Sequence, residues 1–263
     1  MLKALWNWCF RPSALRFWTG VGALALSTTL FLVACQPIAL SAGGNVDADF
    51  EAKVLDVIRK NPQVILESVS EYNQQQAQKQ RDVRQAFARD AKTDPKKAIG
   101  NSPTLGKGKV LLIEFSDFQC PYCARAIAPL KQFLSENQDR VTLAFKHFPL
   151  RSIHQQAMPA AQAAWAAQQQ GKFWEYHDEL FANQAKLSDA IYGELAKKLG
   201  LDVAKFDRVR NSEAAKKAVT DDAMLAESLG LEGTPTFLMA GEPVQGAPSP
   251  EALKAALERA SKP

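Results

Sequence analysis

Two cysteines, Cys120 and Cys123, stand in the stretch EFSDFQCPYCARAIAPL, residues 114–130, with only Pro121 and Tyr122 between them. Thiols at that spacing can hold a metal, staple a loop or react. A single pair offers two ligands where a structural zinc site takes four, and none of His147, His154 and His177 forms a spaced pair with another cysteine. No metal is therefore expected. A bridge across two residues closes a tiny loop and removes little entropy from the unfolded chain, so it makes a poor staple. Reaction remains. An apolar run of strand length precedes the pair and a helix follows it, with Pro121 at the favoured first helical position. Free amide N–H groups and the positive end of the helix dipole then point at Cys120. That setting depresses a thiol pKa and favours the nucleophilic thiolate. Cys123, one turn into the helix, lies within reach of Cys120 and away from water.

The 263-residue chain is 46% hydrophobic and 23% charged, an ordinary globular composition with room for one sizeable core and extensions. Its first 46 residues differ. They hold Lys3, Arg11 and Arg16, no acidic residue, and no charge between Phe17 and Val46. VGALALSTTLFLVA, residues 21–34, has the length of an export-signal core behind a basic start. It runs into LVAC, residues 32–35, which resembles the lipobox of bacterial lipoproteins and would make Cys35 the acylated first residue of the mature chain. Two alternatives stand beside lipidation. Residues 17–34 are just long enough to stay as an uncleaved membrane anchor, and ALSAG, residues 39–43, can serve as an ordinary signal-peptidase site. All three put the main domain outside the cytoplasm, in the periplasm or cell envelope of a bacterium. Setting Lys3, Arg11 and Arg16 aside from 32 basic residues leaves 29 against 28 acidic ones, without a basic block, so nothing points to nucleic acid as a partner. With Cys9 in the signal and Cys35 acylated, the exported domain keeps only Cys120 and Cys123, in a compartment that permits disulfides.

The elements that must position this pair can be read from periodicity. Residues 1–34 are the signal or anchor and 35–46 a tether. Residues 47–92 read as a helical arm, with Phe50, Val54, Val57 and Ile58 on one face and a helix restart at Asn61-Pro62. Ile65, Val69, Tyr72, Val83 and Phe87 continue a thin seam, but residues 73–82 hold only Ala77 as an apolar residue. Such an arm is either a solvated spacer or a seam that pairs with copies of itself, interrupted at Gln76 and Lys79. Residues 93–109 read as a Pro- and Gly-punctuated linker. KVLLIEF is a strand, Ile127, Leu130, Phe133 and Leu134 have helical spacing, and RVTLAFKHF alternates like a second strand. A helical block spans about 152–230, with breaks near Gly171, Ser188 and Leu201; a hairpin and a Ser-capped helix close the chain. The predicted class for residues 110–263 is α/β, a small mixed sheet covered on both faces and carrying a large all-helical insertion.

EFSDFQCPYC, the strand LLIEF, GKFWEYHDELF (residues 171–181) and the late GTPTF together resemble the DsbA family of thioredoxin-fold thiol:disulfide oxidoreductases, nearest its lipoprotein and surface-antigen members with an N-terminal helical arm. The resemblance covers about residues 110–260, and the arm more loosely. It implies a thioredoxin-like fold and a protein that exchanges disulfides with protein thiols, helped by a membrane or soluble redox partner. The dithiol is itself the redox group, so no cofactor is implied. Cys120 would attack and form mixed disulfides, and Cys123 would resolve them. Pro235 matches the family's cis-proline, which leaves the Thr234 backbone free to pair with a substrate strand, beside Pro121 and Tyr122. Glu114 matches a buried acid that assists proton transfer. The resemblance leaves the net direction open between oxidant, isomerase and reductant. A rival of another class is a surface-anchored binding or assembly protein whose thioredoxin domain is mainly structural; retention of both cysteines, with no others in the domain, argues against it. The aromatics Phe173, Trp174, Tyr176 and Phe181 read as core of the insertion, and His147 and His154 as packing or capping groups.

Overall fold

The computed structural model describes residues 47–244 and 249–262. The signal or anchor, the whole of the tether and the lipidation expected at Cys35 lie outside the described residues. The chain divides into two compact units, residues 1–57 and 58–263. The described part of the first is most of α1 (Ala48–Lys60), which opens on Asp49 and Glu51 and closes on Arg59 and Lys60, charges that suit the helix dipole. Among the described residues no helix is long and apolar enough to cross a membrane.

In the second unit α2 (Pro62–Thr93) starts on Pro62 as expected and runs without interruption for 32 residues. It is followed by α3 (Pro95–Ile99), β1 (Thr104–Gly106), β2 (Val110–Ser116), α4 (Pro121–Asn137) and β3 (Val141–His147). Next come α5 (Ala157–Gln168), α6 (Phe173–Ala182), α7 (Asp189–Lys198), α8 (Val203–Arg210) and α9 (Glu213–Ser228), which make up the predicted helical insertion. The hairpin β4 (Thr236–Met239) and β5 (Glu242–Pro243) and the helix α10 (Pro250–Ala260) complete the order. Ala240 and Gly241 turn the hairpin with φ values of 50° and 82°, the left-handed pair that a two-residue hairpin turn needs.

The described strands form one sheet in the order β1-β3-β2-β4-β5, with β2 and β3 parallel and the other pairs antiparallel. The parallel pair needs a crossover, and α4 supplies it. Alternation along β2 sorts the core into two faces. Leu111, Ile113 and Phe115 pack with Ala144, Leu238 and residues of α9 on one side. Leu112, Leu143 and Phe237 pack with α4 and α10 on the other. This is the α/β architecture expected from the sequence.

Two boundaries differ from the sequence reading. The stretch 93–109, expected to be a linker, holds α3 and the edge strand β1, whose Thr104 pairs with Ala144 of β3. A three-residue strand is too short to show a period, so its Pro and Gly neighbours dominated the pattern. The arm is also not separate from the domain. Phe87, Ala88 and Ala91, in the last turns of α2, are buried and join the core face of Leu111, Ile113 and Phe115. Gly241 makes the approach possible: a Cβ there would stand 2.4 Å from Ala88 Cα.

Candidate active site

Strand β2 ends at Ser116, and four residues later Cys120 caps the N-terminus of α4 with an extended backbone, φ −74° and ψ 120°. Pro121 takes the first helical position, where the missing N–H costs nothing. Both thiols are free, and both are buried: Cys123 fully, Cys120 to 3% exposure. The expected contrast in exposure is thus small, and the asymmetry lies in hydrogen bonding. A hydrogen bond from Cys123 draws the Cys120 pKa down to about 5, against the opposing effect of burial. Thr234 and the backbone N–H groups of Cys123 and Tyr122 at the helix start add to the effect. For Cys123 burial pushes the thiol far upward, and its bond to Cys120 pushes the same way.

The Thr234–Pro235 peptide bond is cis, and it leads into β4 next to the cysteines. Cys120 Sγ donates to the Thr234 carbonyl at 3.3 Å, so the backbone group expected to face a substrate is held here by the first thiol. Tyr122 is exposed, with the Arg125 guanidinium 4.3 Å from its ring centroid. Glu114 is buried on the same sheet face as Phe145 and Phe237, its partners across the ladder, and burial raises its pKa. The structure therefore brings Cys120, Cys123, Thr234 and Pro235 together, with Glu114 two residues before the end of the strand that delivers them. Phe173, Tyr176 and Phe181 are core, as expected, and Trp174 packs against them.

Sequence reasoning missed the group that holds the loop. Asp117 is buried, and it is the most connected side chain at the site. Its carboxylate accepts from the N–H of Gln119 at 2.8 Å and of Leu150 at 2.9 Å, and His154 Nδ1 lies 2.7 Å away. Its carbonyl accepts from the Cys120 N–H, and its own N–H points at Cys123 Sγ, 3.5 Å away. Gln184 Nε2 donates to the carbonyls of Phe118 and Cys120 at 2.8 and 3.0 Å. The bond to Gln119, two residues on, is a local turn that an Asp in SDFQC could have announced. The reach to Leu150 and His154 depends on the fold. Asp117→Ala would leave two amides without an acceptor, so we expect about 2–4 kcal/mol lower stability in denaturant unfolding. A change below about 0.5 kcal/mol would show that these bonds do not hold the loop.

A model of the DSBA-like thioredoxin domain matches residues 111–258. A thioredoxin-like oxidoreductase from Silicibacter pomeroyi DSS-3 is 31% identical and superposes with a TM-score of 0.58, over 62% of this chain and 94% of that one. The thiol-disulfide exchange protein alpha-DsbA2 from Wolbachia pipientis shares the fold at 19% identity and a TM-score of 0.58, over 69% and 97% of the two chains. Among curated proteins, the Na(+)/H(+) antiporter NhaA 1 of Mycolicibacterium vanbaalenii is 38% identical over 135 residues, 50% of this chain and 22% of the antiporter. The chain spans a quarter or less of the length of the curated relatives it matches.

Proposed function

The chain belongs to the DSBA-like thioredoxin domain family, and on that premise we propose that it is a protein thiol:disulfide oxidoreductase whose redox group is the Cys120–Cys123 pair. One observation carries the reading: two free thiols meet at the start of α4, with Cys120 at its N-cap against the carbonyl of Thr234 and the cis bond to Pro235, in a setting that draws Cys120 down to about 5 and pushes Cys123 up. In disulfide exchange a substrate thiolate attacks Cys120 Sγ of the enzyme disulfide. The bond to Cys123 breaks, and its electron pair leaves on Cys123, which takes a proton. A second substrate thiol then displaces Cys120, an easy leaving group because its thiolate is stable. Glu114 is the buried acid of this cycle, and Thr234, Pro235, Pro121 and Tyr122 form the surface that receives the substrate strand.

A stabilised thiolate favours the reduced enzyme, so we propose net oxidation of protein thiols as the direction. Reduction of insulin tests the chemistry, and the reduction potential tests the direction. A value near the −120 mV typical of DsbA supports an oxidant, whereas about −270 mV, as in thioredoxin, makes it a reductant. The remaining proposals are export by the N-terminal segment, attachment to the membrane through Cys35 or an uncleaved anchor, and self-association through the exposed face of α2.

The Cys120 pKa also sets how the potential depends on pH. A thiol with a depressed pKa contributes stability to the reduced form that is fully present above its ordinary pKa and lost as pH falls through the folded one. Above pH 5, reduction takes up one proton per two electrons, because Cys120 stays a thiolate. The slope is then about 30 mV per pH unit, steepening to about 59 mV below that pH. A single slope of about 59 mV from pH 4 to 8 would contradict the assignment.

A further inference from the structure

Beside the dithiol, and apart from Thr234 Oγ1, four side chains hold buried polar atoms with no hydrogen-bond partner: Ser116 Oγ, both carboxyl oxygens of Glu114, both ring nitrogens of His147 and Nε2 of His177. Such atoms are uncommon and costly, and here they gather in one region. Ser116 and Glu114 lie two apart on β2 and pair across the ladder with His147 and Phe145 of β3. His177 reaches the same face from α6, with its ring 5.4 Å from that of Phe145. Phe118, Phe173 and Phe181 close around it at 5.7, 5.9 and 4.9 Å.

The cluster has a way out. His177 Nδ1 lies 3.0 Å from Asp178 Oδ1, and the other Asp178 oxygen pairs with Lys131 of α4. Asp178 is half-exposed, and with Lys131 it lines an open cleft of about 330 Å³. Among the described residues, the ionisable groups that act on His177 are Glu114 from β2, His147 from β3 and Asp178 on its own helix, with Lys131 beyond. Lys146, next to His147, is turned to the opposite sheet face and bound to Asp222 of α9. Burial would raise the Asp178 pKa, but the bonds from His177 and Lys131 outweigh it and hold it low. His147 is pushed by burial down to about 3 and so is neutral at physiological pH.

We propose that His177, held at Nδ1 by Asp178, is the proton-exchange partner of Glu114, and that the line Glu114–His177–Asp178 joins the buried dithiol to solvent in that cleft. The proposal rests on the reading of Glu114 as the acid of the redox cycle. When substrate attacks Cys120, the Cys120–Cys123 bond breaks and Cys123 leaves with its electron pair. Its proton comes from the Glu114 carboxyl. The carboxylate recovers a proton from His177 Nε2, and the imidazole is recharged from solvent at the Asp178 end. When Cys123 attacks a mixed disulfide instead, the proton travels outward along the same groups.

The test is the rate of Cys123 resolution of a mixed disulfide with a thiol peptide, followed by rapid mixing from pH 5 to 9. Wild type is compared with His177→Gln, Asp178→Asn, Glu114→Gln and the Glu114→Gln/His177→Gln double variant. His177→Gln is expected to slow resolution about tenfold or more and to displace the midpoint of its pH profile. Asp178→Asn, at a half-exposed position where folding is safe, should shift the midpoint in the same direction by less. The double variant should be no slower than Glu114→Gln alone, and alkylation of Cys120 should stay at the wild-type rate throughout. If His177→Gln and Asp178→Asn keep the wild-type profile while Glu114→Gln changes it, the proposal fails and the reading of Glu114 stands. An additive double variant overturns it too. If Glu114→Gln keeps the wild-type profile, the role of Glu114 fails, and the proposal with it.

Discussion

Alkylation of the reduced protein near pH 6 is expected to label Cys120 at least about ten times faster than an ordinary thiol, and to leave Cys123 essentially unlabelled. At that pH a thiol with a pKa of about 5 is roughly nine-tenths ionised, against a fraction of a per cent for an unperturbed cysteine. The weaker nucleophilicity of a stable thiolate gives back part of that gain, which is why the expectation is tenfold rather than several hundredfold. Near-burial of Cys120 slows large reagents, so a small one such as iodoacetamide is the right probe. The same asymmetry decides which variant traps substrates. Cys123→Ser removes the thiol that resolves a mixed disulfide, so Cys120 should accumulate disulfide-linked proteins. Cys120→Ser removes the attacking group, and its remaining thiol is buried and protonated, so it should accumulate none. Equal labelling of the two cysteines would sink the catalytic reading, and the rival of a mainly structural domain would gain.

What could be read in advance was whatever depends on neighbours in sequence. Pro121 after Cys120, the apolar run of β2 and the Ser249 cap of α10 each announce an element from local chemistry. The cis bond at Pro235 follows from the family resemblance and not from the residues themselves. Burial of Glu114 required both the strand and the face of that strand, and an acidic side chain in LLIEF reads equally well as an exposed strand end. The contacts of Asp117 with Leu150 and His154, and of Gln184 with the loop carbonyls, bridge 33 to 66 residues, and no local pattern records them. The edge strand β1 failed for a different reason. Its pairing with β3 specifies it, not its own three residues.

The root of α2 belongs to the core of the domain, while its first turns carry an exposed apolar seam. Cutting the chain at Ser102 to isolate a monomeric domain would also remove Phe87, Ala88, Ala91 and Ala98, all of them core. Loss of one buried Phe side chain alone costs about 3–5 kcal/mol, a large part of the 5–15 kcal/mol that holds a typical domain. That fragment is expected to be unfolded or aggregated, so its sedimentation would say nothing about the arm. The informative change keeps the root of α2 and alters its free face. Val64, Ile65, Leu66, Val69 and Tyr72 are all exposed there. Ile65, Val69, Tyr72, Gln76, Lys79 and Val83 follow one another at the alternating spacings of four and three that let helices pair, with polar residues at two central positions. Polar seam positions of that kind weaken a coiled coil while fixing its register. A second copy of this helix is the partner whose spacing matches. Sedimentation equilibrium on the chain from Asp47 is therefore expected to show reversible self-association, and the Ile65→Glu/Val69→Glu/Tyr72→Glu variant should sediment as a folded monomer. Several redox centres on one assembly could grip a misfolded substrate while Cys120 attacks. Shuffling of scrambled disulfides should then fall severalfold in the variant while oxidation of a simple dithiol peptide stays unchanged. If the parent chain is already monomeric, α2 is a spacer, and the oxidation proposed for the Cys120–Cys123 pair is carried out by single domains.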